Sequence, residues 1–111
     1  MTPDFDFIFR EFGGQNFMED FKEYSNIAFV NGGLDPWVVG CVKKQVNPDL
    51  PVLTVKNGAH HSESFFPLPT DLQDEGSVSD VRAQIESYLD KWMGRYINEF
   101  KTLKGGLMQK Q

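Results

Sequence analysis

Three side chains in this sequence have the types and positions for shared acid–base chemistry. Asp35 lies in the segment Asn31-Gly32-Gly33-Leu34-Asp35-Pro36-Trp37, and His60 and His61 close the segment Lys56-Asn57-Gly58-Ala59-His60-His61. A carboxylate that accepts a hydrogen bond from one imidazole nitrogen fixes the tautomer and orientation of the ring. The other nitrogen is then free to act as a general base. That is two thirds of a Ser-His-Asp relay. Each residue also has a plainer reading. Asp before Pro punctuates turns, and a loop histidine is commonly a satisfied structural group. A metal site is a third reading, but two adjacent loop histidines diverge unless the backbone bends, and no Cys or carboxylate stands at zinc-ligand spacing from them. His61 reads as a packing or loop-fixing residue.

The flanking pattern indicates what must position these groups. Residues 25–30, Ser-Asn-Ile-Ala-Phe-Val, form a short apolar run ended by Asn31-Gly32-Gly33, the mark of a buried strand. Trp37, Val38, Cys41, Val42 and Val46 suit one face of a short helix, with Pro36 in its first turn. Pro48 breaks that helix. Residues 51–55, Pro-Val-Leu-Thr-Val, read as a second strand, and residues 62–76 as an acidic loop containing proline. From Ser77, Val78, Val81, Ile85, Leu89, Trp92, Tyr96 and Phe100 recur every three or four residues. They predict an amphipathic helix over 77–104, capped by Ser77 and stopped by Gly105-Gly106.

Strand, helix, strand, helix is a βαβ unit with a covering helix, so the strands are expected to be parallel and joined by a right-handed crossover. Asp35 and His60 then both follow carboxyl ends of neighbouring strands and share one edge of the sheet, where α/β proteins build sites. Residues 1–25 show no sustained period and read as an irregular or partly helical, aromatic-rich segment, with phenylalanines at 5, 7, 9, 12, 17 and 21.

Composition narrows the function classes. The chain has 111 residues, with 11 Lys and Arg against 16 Asp and Glu, a net charge of −5. This argues against a nucleic-acid backbone or an anionic membrane as the main partner. Apolar runs fall far short of the ~20 residues that span a bilayer. Asp4 and Asp6 stand where a secretory leader would carry positive charge. The single cysteine, Cys41, cannot form an internal disulfide and reads as a small buried hydrophobe. Trp37 and Trp92 read as core aromatics. No cofactor is expected.

In α/β-hydrolases the nucleophile precedes the acid and the His in the chain. Here the only serine before Asp35 is Ser25, and no G-x-S-x-G occurs. The triad is therefore incomplete in these residues. The segments Ser25–Trp37 and Leu50–His61 nevertheless resemble the last part of the prolyl carboxypeptidase and dipeptidyl peptidase II family, serine peptidases of α/β-hydrolase type. In that family an Asn-Gly-x-Leu-Asp-Pro-Trp turn carries the triad Asp, and a Gly-Ala-His-His loop carries the triad His. Asp35 and His60, 25 positions apart, match these two. Phe12-Gly13-Gly14 and residues 76–92 are similar to the family's aromatic-Gly-Gly and C-terminal helix. Two departures stand out. Val38-Val39-Gly40-Cys41 replaces smaller residues, and Ser62-Glu63-Ser64-Phe65 replaces a Leu-Asp-Leu-Arg segment.

The resemblance implies the C-terminal portion of an α/β-hydrolase fold, incomplete as a catalytic domain. It also implies a serine exopeptidase, lysosomal or secreted, acting on peptides with proline near a terminus. Asp35 and His60 would be the catalytic residues, and the isolated chain would be inactive. The phenylalanines before residue 22 would lack cover and favour self-association. The competing expectation is a standalone, non-catalytic binding domain that keeps both loops as scaffold.

Overall fold

The computed structural model describes residues 2–110. Two strands, β1 (Phe29–Gly32) and β2 (Val52–Val55), pair in parallel, with Phe29 opposite Val52 and Gly32 opposite Val55. β1 begins later than the apolar run suggests. Asn26 takes a positive φ of 63°, which turns the chain; the Ile27 amide reaches the Asp49 carbonyl at a long 3.4 Å, and the Phe29 amide donates to the Pro51 carbonyl at 2.9 Å. Asn31 and Gly32 belong to the strand rather than to the turn after it.

The crossover contains no α-helix. Pro36–Gly40 form a 3₁₀ turn, and Cys41 returns to extended backbone at φ −86°, ψ 158°. Val38, Val39 and Gly40 are weak helix formers, and the buried Asn31 side chain ties the segment to β1 by donating from Nδ2 to the Val42 carbonyl at 2.8 Å. Trp37 is consequently 73% exposed rather than in a core. Cys41 is half-buried and approaches the Trp37 carbonyl with its Sγ.

Residues before β1 hold two short helices, α1 (Phe7–Phe12) and α2 (Phe17–Asp20). Phe17 packs on Phe21 and Phe29, with ring centroids 4.5 and 5.9 Å away. Phe5, Phe7, Phe9 and Phe12 are exposed.

The long helix, α3 (Val78–Gln109), starts where its cap predicts. Ser77 Oγ accepts from the Asp80 amide at 3.2 Å, which satisfies an orphan donor of the first turn, and Asp80 Oδ2 accepts from the amide of Gly76, the residue before the cap, at 2.8 Å. It does not stop at Gly105-Gly106. Glycine ends a helix by adopting positive φ, and the positive-φ glycines are Gly13, Gly14 and Gly76.

The core is small. Leu53 and Val55 of β2 point at Val81 of α3, flanked by Val30, Val78, Ile85 and Tyr88. Leu50 and Pro51 are buried ahead of β2. An Asp49 carboxylate bound by Arg95 at 2.6 and 2.9 Å fastens α3 to that same approach. The radius of gyration is 18.8 Å, where a packed domain of this length has about 13 Å. Among the described residues no helix is long and apolar enough to cross a membrane.

Candidate active site

The turn after β1 and the loop after β2 are bound to each other through backbone. The Gly33 amide donates to the Val55 carbonyl at 2.8 Å and the Leu34 amide to the Gly58 carbonyl at 2.9 Å. Contact is so close that side chains are excluded. A Cβ on Gly32 would lie 2.4 Å from the Ala59 carbonyl oxygen, and one on Gly33 would lie 2.2 Å from that of Lys56. The paired glycines are therefore what lets the two loops touch.

This contact sets Asp35 against His60. Asp35 is 5% exposed. Its Oδ1 accepts from the Trp37 amide at 2.9 Å, and its Oδ2 lies 2.6 Å from His60 Nδ1. The His60 hydrogen bond, joined by the Trp37 amide, holds the Asp35 carboxyl below the usual carboxylate range against the opposing effect of burial. An ionised carboxylate is acceptor-only, so His60 presents Nδ1–H to it, and in the neutral ring Nε2 keeps its lone pair. The ring is 54% exposed. Among the described residues no hydroxyl or thiol hydrogen-bonds to it.

His61 does not join the pair. It sits at φ 58°, stacks at a tilt on His60 with centroids 3.8 Å apart, and has Nδ1 3.9 Å from Glu63. Among the described residues no three His, Cys, Asp or Glu side chains come together as a metal-ligand group.

One supporting residue had no signal that motif reading weighed. Arg82 reaches from α3 to the loop that follows the histidines. Its Nε donates to the Glu63 carbonyl at 2.9 Å, its NH2 to the Phe65 carbonyl, and its NH1 to Asp71 Oδ2 at 3.3 Å. Ser62-Glu63-Ser64-Phe65 thus supplies carbonyls to an arginine that comes from elsewhere in the chain. Asp71 is thus part of this clasp. At the other departure, Val39 is 82% exposed and does not crowd the pair.

Comparison with known proteins gives a consistent answer. A family model described as serine carboxypeptidase S28 matches residues 7–85. The lysosomal Pro-X carboxypeptidase of Homo sapiens is 39% identical over 95 residues, which is 85% of this chain and 17% of that protein. That of Bos taurus is 33% identical over 90 residues, 80% of this chain and 16% of the relative. That of Mus musculus is 40% identical over 82 residues, 74% and 15% respectively. No solved structure matches the chain significantly. The chain spans less than a fifth of the length of these relatives. Membership implies an α/β-hydrolase type of fold, to which the parallel pair of strands and α3 conform. With a family model covering most of its length and relatives named for one activity, this chain belongs to the serine carboxypeptidase S28 family.

Proposed function

We propose that these residues are the C-terminal portion of a serine exopeptidase and carry two members of its triad, Asp35 as the orienting acid and His60 as the base. The observation that carries this reading is the buried Asp35 carboxyl group 2.6 Å from His60 Nδ1, at the carboxyl ends of adjacent parallel strands in a chain of this family.

The chemistry is acyl transfer. A serine hydroxyl from another part of the protein attacks the carbonyl carbon of the scissile peptide bond, and His60 Nε2 takes its proton. The same nitrogen then gives the proton to the departing amine. A water deprotonated by His60 releases the acyl group and regenerates the serine. Asp35 holds the ring in the tautomer this needs and stabilises the imidazolium that forms. The relatives' name, Pro-X carboxypeptidase, directs the proposal to peptides with proline next to the C-terminal residue. A dipeptidyl-peptidase preference is the alternative within the same chemistry. The relatives' lysosomal designation makes that compartment the proposed location.

The half-exposed His60 ring, with no hydroxyl bound to it among the described residues, also fits a second reading: a non-catalytic binding domain that retains both loops as scaffold. A serine-reactive phosphonate separates the two. The 111-residue chain alone should remain unlabelled and turn over no proline-containing peptide. The gene's longest in-frame product containing these residues should be labelled, and His60→Ala should abolish the labelling. A longest product that resists the phosphonate, or a His60→Ala variant that labels as well as wild type, favours the scaffold.

A further inference from the structure

Two Asn-Gly pairs occur in the sequence, Asn31-Gly32 and Asn57-Gly58. Such a pair is open to a spontaneous reaction, because glycine has no side chain to shield its backbone nitrogen from the preceding carboxamide and leaves the chain free to turn toward it. The fold treats the two pairs oppositely. Asn31 is 4% exposed, lies within β1, and donates from Nδ2 to the Val42 carbonyl at 2.8 Å. Bringing its side chain onto the Gly32 amide would break that bond and lift the residue out of the strand. Asn57 is exposed at the turn after β2, and of the two carboxamides only that of Asn31 is hydrogen-bonded among the described residues.

The restraint at Asn57 is on its neighbour, since the Gly58 amide donates to the Val55 carbonyl at 3.0 Å. One hydrogen bond of this kind slows attack by that nitrogen about tenfold and does not prevent it. Glycine at 58 is also fixed by packing: a Cβ there would lie 2.7 Å from both Cβ and Cγ1 of Val55. The loop thus requires the residue that makes Asn57 labile.

We propose that Asn57 is a site of spontaneous deamidation, and that its conversion to isoaspartate uncouples His60 from Asp35. The Gly58 nitrogen gives up its proton to solvent base and attacks Asn57 Cγ. The N–Cγ bond forms, the Cγ–Nδ2 bond breaks, and Nδ2 takes a proton from water and leaves as ammonia. Water then opens the cyclic imide. Addition at Cγ gives aspartate. Addition at the main-chain carbonyl carbon breaks its bond to Gly58, so the chain runs on through Cβ and Cγ and the main-chain carboxylate becomes the side group. The net change is one water consumed and one ammonia released.

The imide deprives the Val55 carbonyl of the Gly58 donor. The isoaspartyl link then lengthens the main chain before Gly58 by one carbon–carbon bond, about 1.5 Å. The Leu34 amide meets the Gly58 carbonyl at 2.9 Å and has about 0.3 Å of slack before it leaves hydrogen-bond range. Leu34 adjoins Asp35, and Gly58 stands just ahead of Ala59 and His60, so losing this contact parts the two loops at the pair. The chemistry stands whether or not the pair serves catalysis; where it does, the site has a limited working life.

Ageing the 111-residue chain at neutral pH tests this, with tryptic mapping and isoaspartyl methyltransferase labelling to locate the product. Residue 57 should convert about tenfold more slowly than a free peptide of residues 55–59, while Asn31 stays amidated. The His60 Nδ1 proton signal should decline in step with isoaspartate at 57, and should persist in Asn57→Gln, whose longer side chain closes a ring far more slowly. An Asn57 still intact after about ten half-lives of the peptide, or an Asn31 that converts as fast as Asn57, overturns the proposal. So does a His60 signal that survives full conversion, or one that fades equally in Asn57→Gln.

Discussion

Adding one methyl group at Gly32 should take the candidate site apart. The new Cβ would stand 2.4 Å from the Ala59 carbonyl oxygen and 2.7 Å from that of Gly58. Relaxed carbon–oxygen contacts are about 3.3 Å or more, so the two loops must separate by roughly 0.9 Å. Both oxygens belong to main chain of the loop that carries His60, so no flexible side chain can absorb the shift. The same displacement would stretch the 2.6 Å Asp35–His60 contact to roughly 3.5 Å, past the range of a useful hydrogen bond. Overpacking of this kind costs about 1–3 kcal/mol. That is a large share of what Leu53, Val55 and Val81 can supply, at about 1.5–3 kcal/mol per buried side chain before chain entropy is subtracted. Urea unfolding followed by tryptophan fluorescence measures the loss, and the His60 Nδ1 proton in the NMR spectrum measures the separation. Gly94→Ala is the matched control, because its Cβ meets nothing within 4 Å and its helical position should gain about 0.5–1 kcal/mol. A Gly32→Ala chain with an unchanged midpoint and an intact His60 proton would refute the argument that backbone contact sets the pair.

Further outcomes follow from the same contacts. The Asp35 carboxyl should titrate below the usual value of 3.8, and His60→Ala should raise its midpoint, as followed by carboxyl carbon shifts. Because the folded value is depressed, the stability this carboxylate contributes is complete above the unfolded midpoint near 3.8 and fades as pH falls through the lowered one. An Asp35 midpoint at or above 3.8 would contradict the geometry. Arg82→Ala should release the Glu63 and Phe65 carbonyls at a cost of about 1–3 kcal/mol and open the loop to limited proteolysis near Phe65-Phe66. Arg82→Lys should rescue little, since a point charge does not reproduce the guanidinium fork. Cleavage rates equal to wild type in both variants would show that the clasp does not hold the loop. Leu53→Ala, which removes one of the few buried side chains, should cost about 2–5 kcal/mol, and a circular-dichroism melt matching wild type would place the core elsewhere.

The sequence carried more about the site than about the elements around it. Glycine at 32 and 33, Asp at 35 and the Gly-Ala-His-His run are dictated by backbone contact and by one hydrogen bond, so their types and order survive in motif form. The parallel pairing of β1 and β2 followed from the order of apolar runs and turns. The helix expected over 37–46 is a 3₁₀ turn over Pro36–Gly40, because Val38, Val39 and Gly40 hold a helix weakly and Asn31 ties Val42 to the strand, a long-range bond of which apolar spacing contains no record. Gly105-Gly106 were expected to end α3, yet composition alone cannot distinguish glycine in helical φ from glycine in the left-handed cap. Trp37 reads as core by type, but the 3₁₀ turn leaves its indole outside any layer of the described chain. Arg82 lay unnoticed within an amphipathic repeat, since the carbonyls it binds are main-chain atoms that have no side-chain signature.

The most direct measurement is the turnover number of the gene's longest in-frame product on a peptide ending in Pro-Xaa, compared between wild type and Asp35→Asn. Asn at this position can still accept from the Trp37 amide, but its Nδ2–H₂ group would face His60 and favour the tautomer with the proton on Nε2. The base is then occupied at the nitrogen that must take the serine proton. If Asp35 and His60 are the acid and base of a triad, kcat should fall by about 10⁴-fold, with KM changed little. A variant that retains kcat within a few-fold of wild type would contradict the assignment.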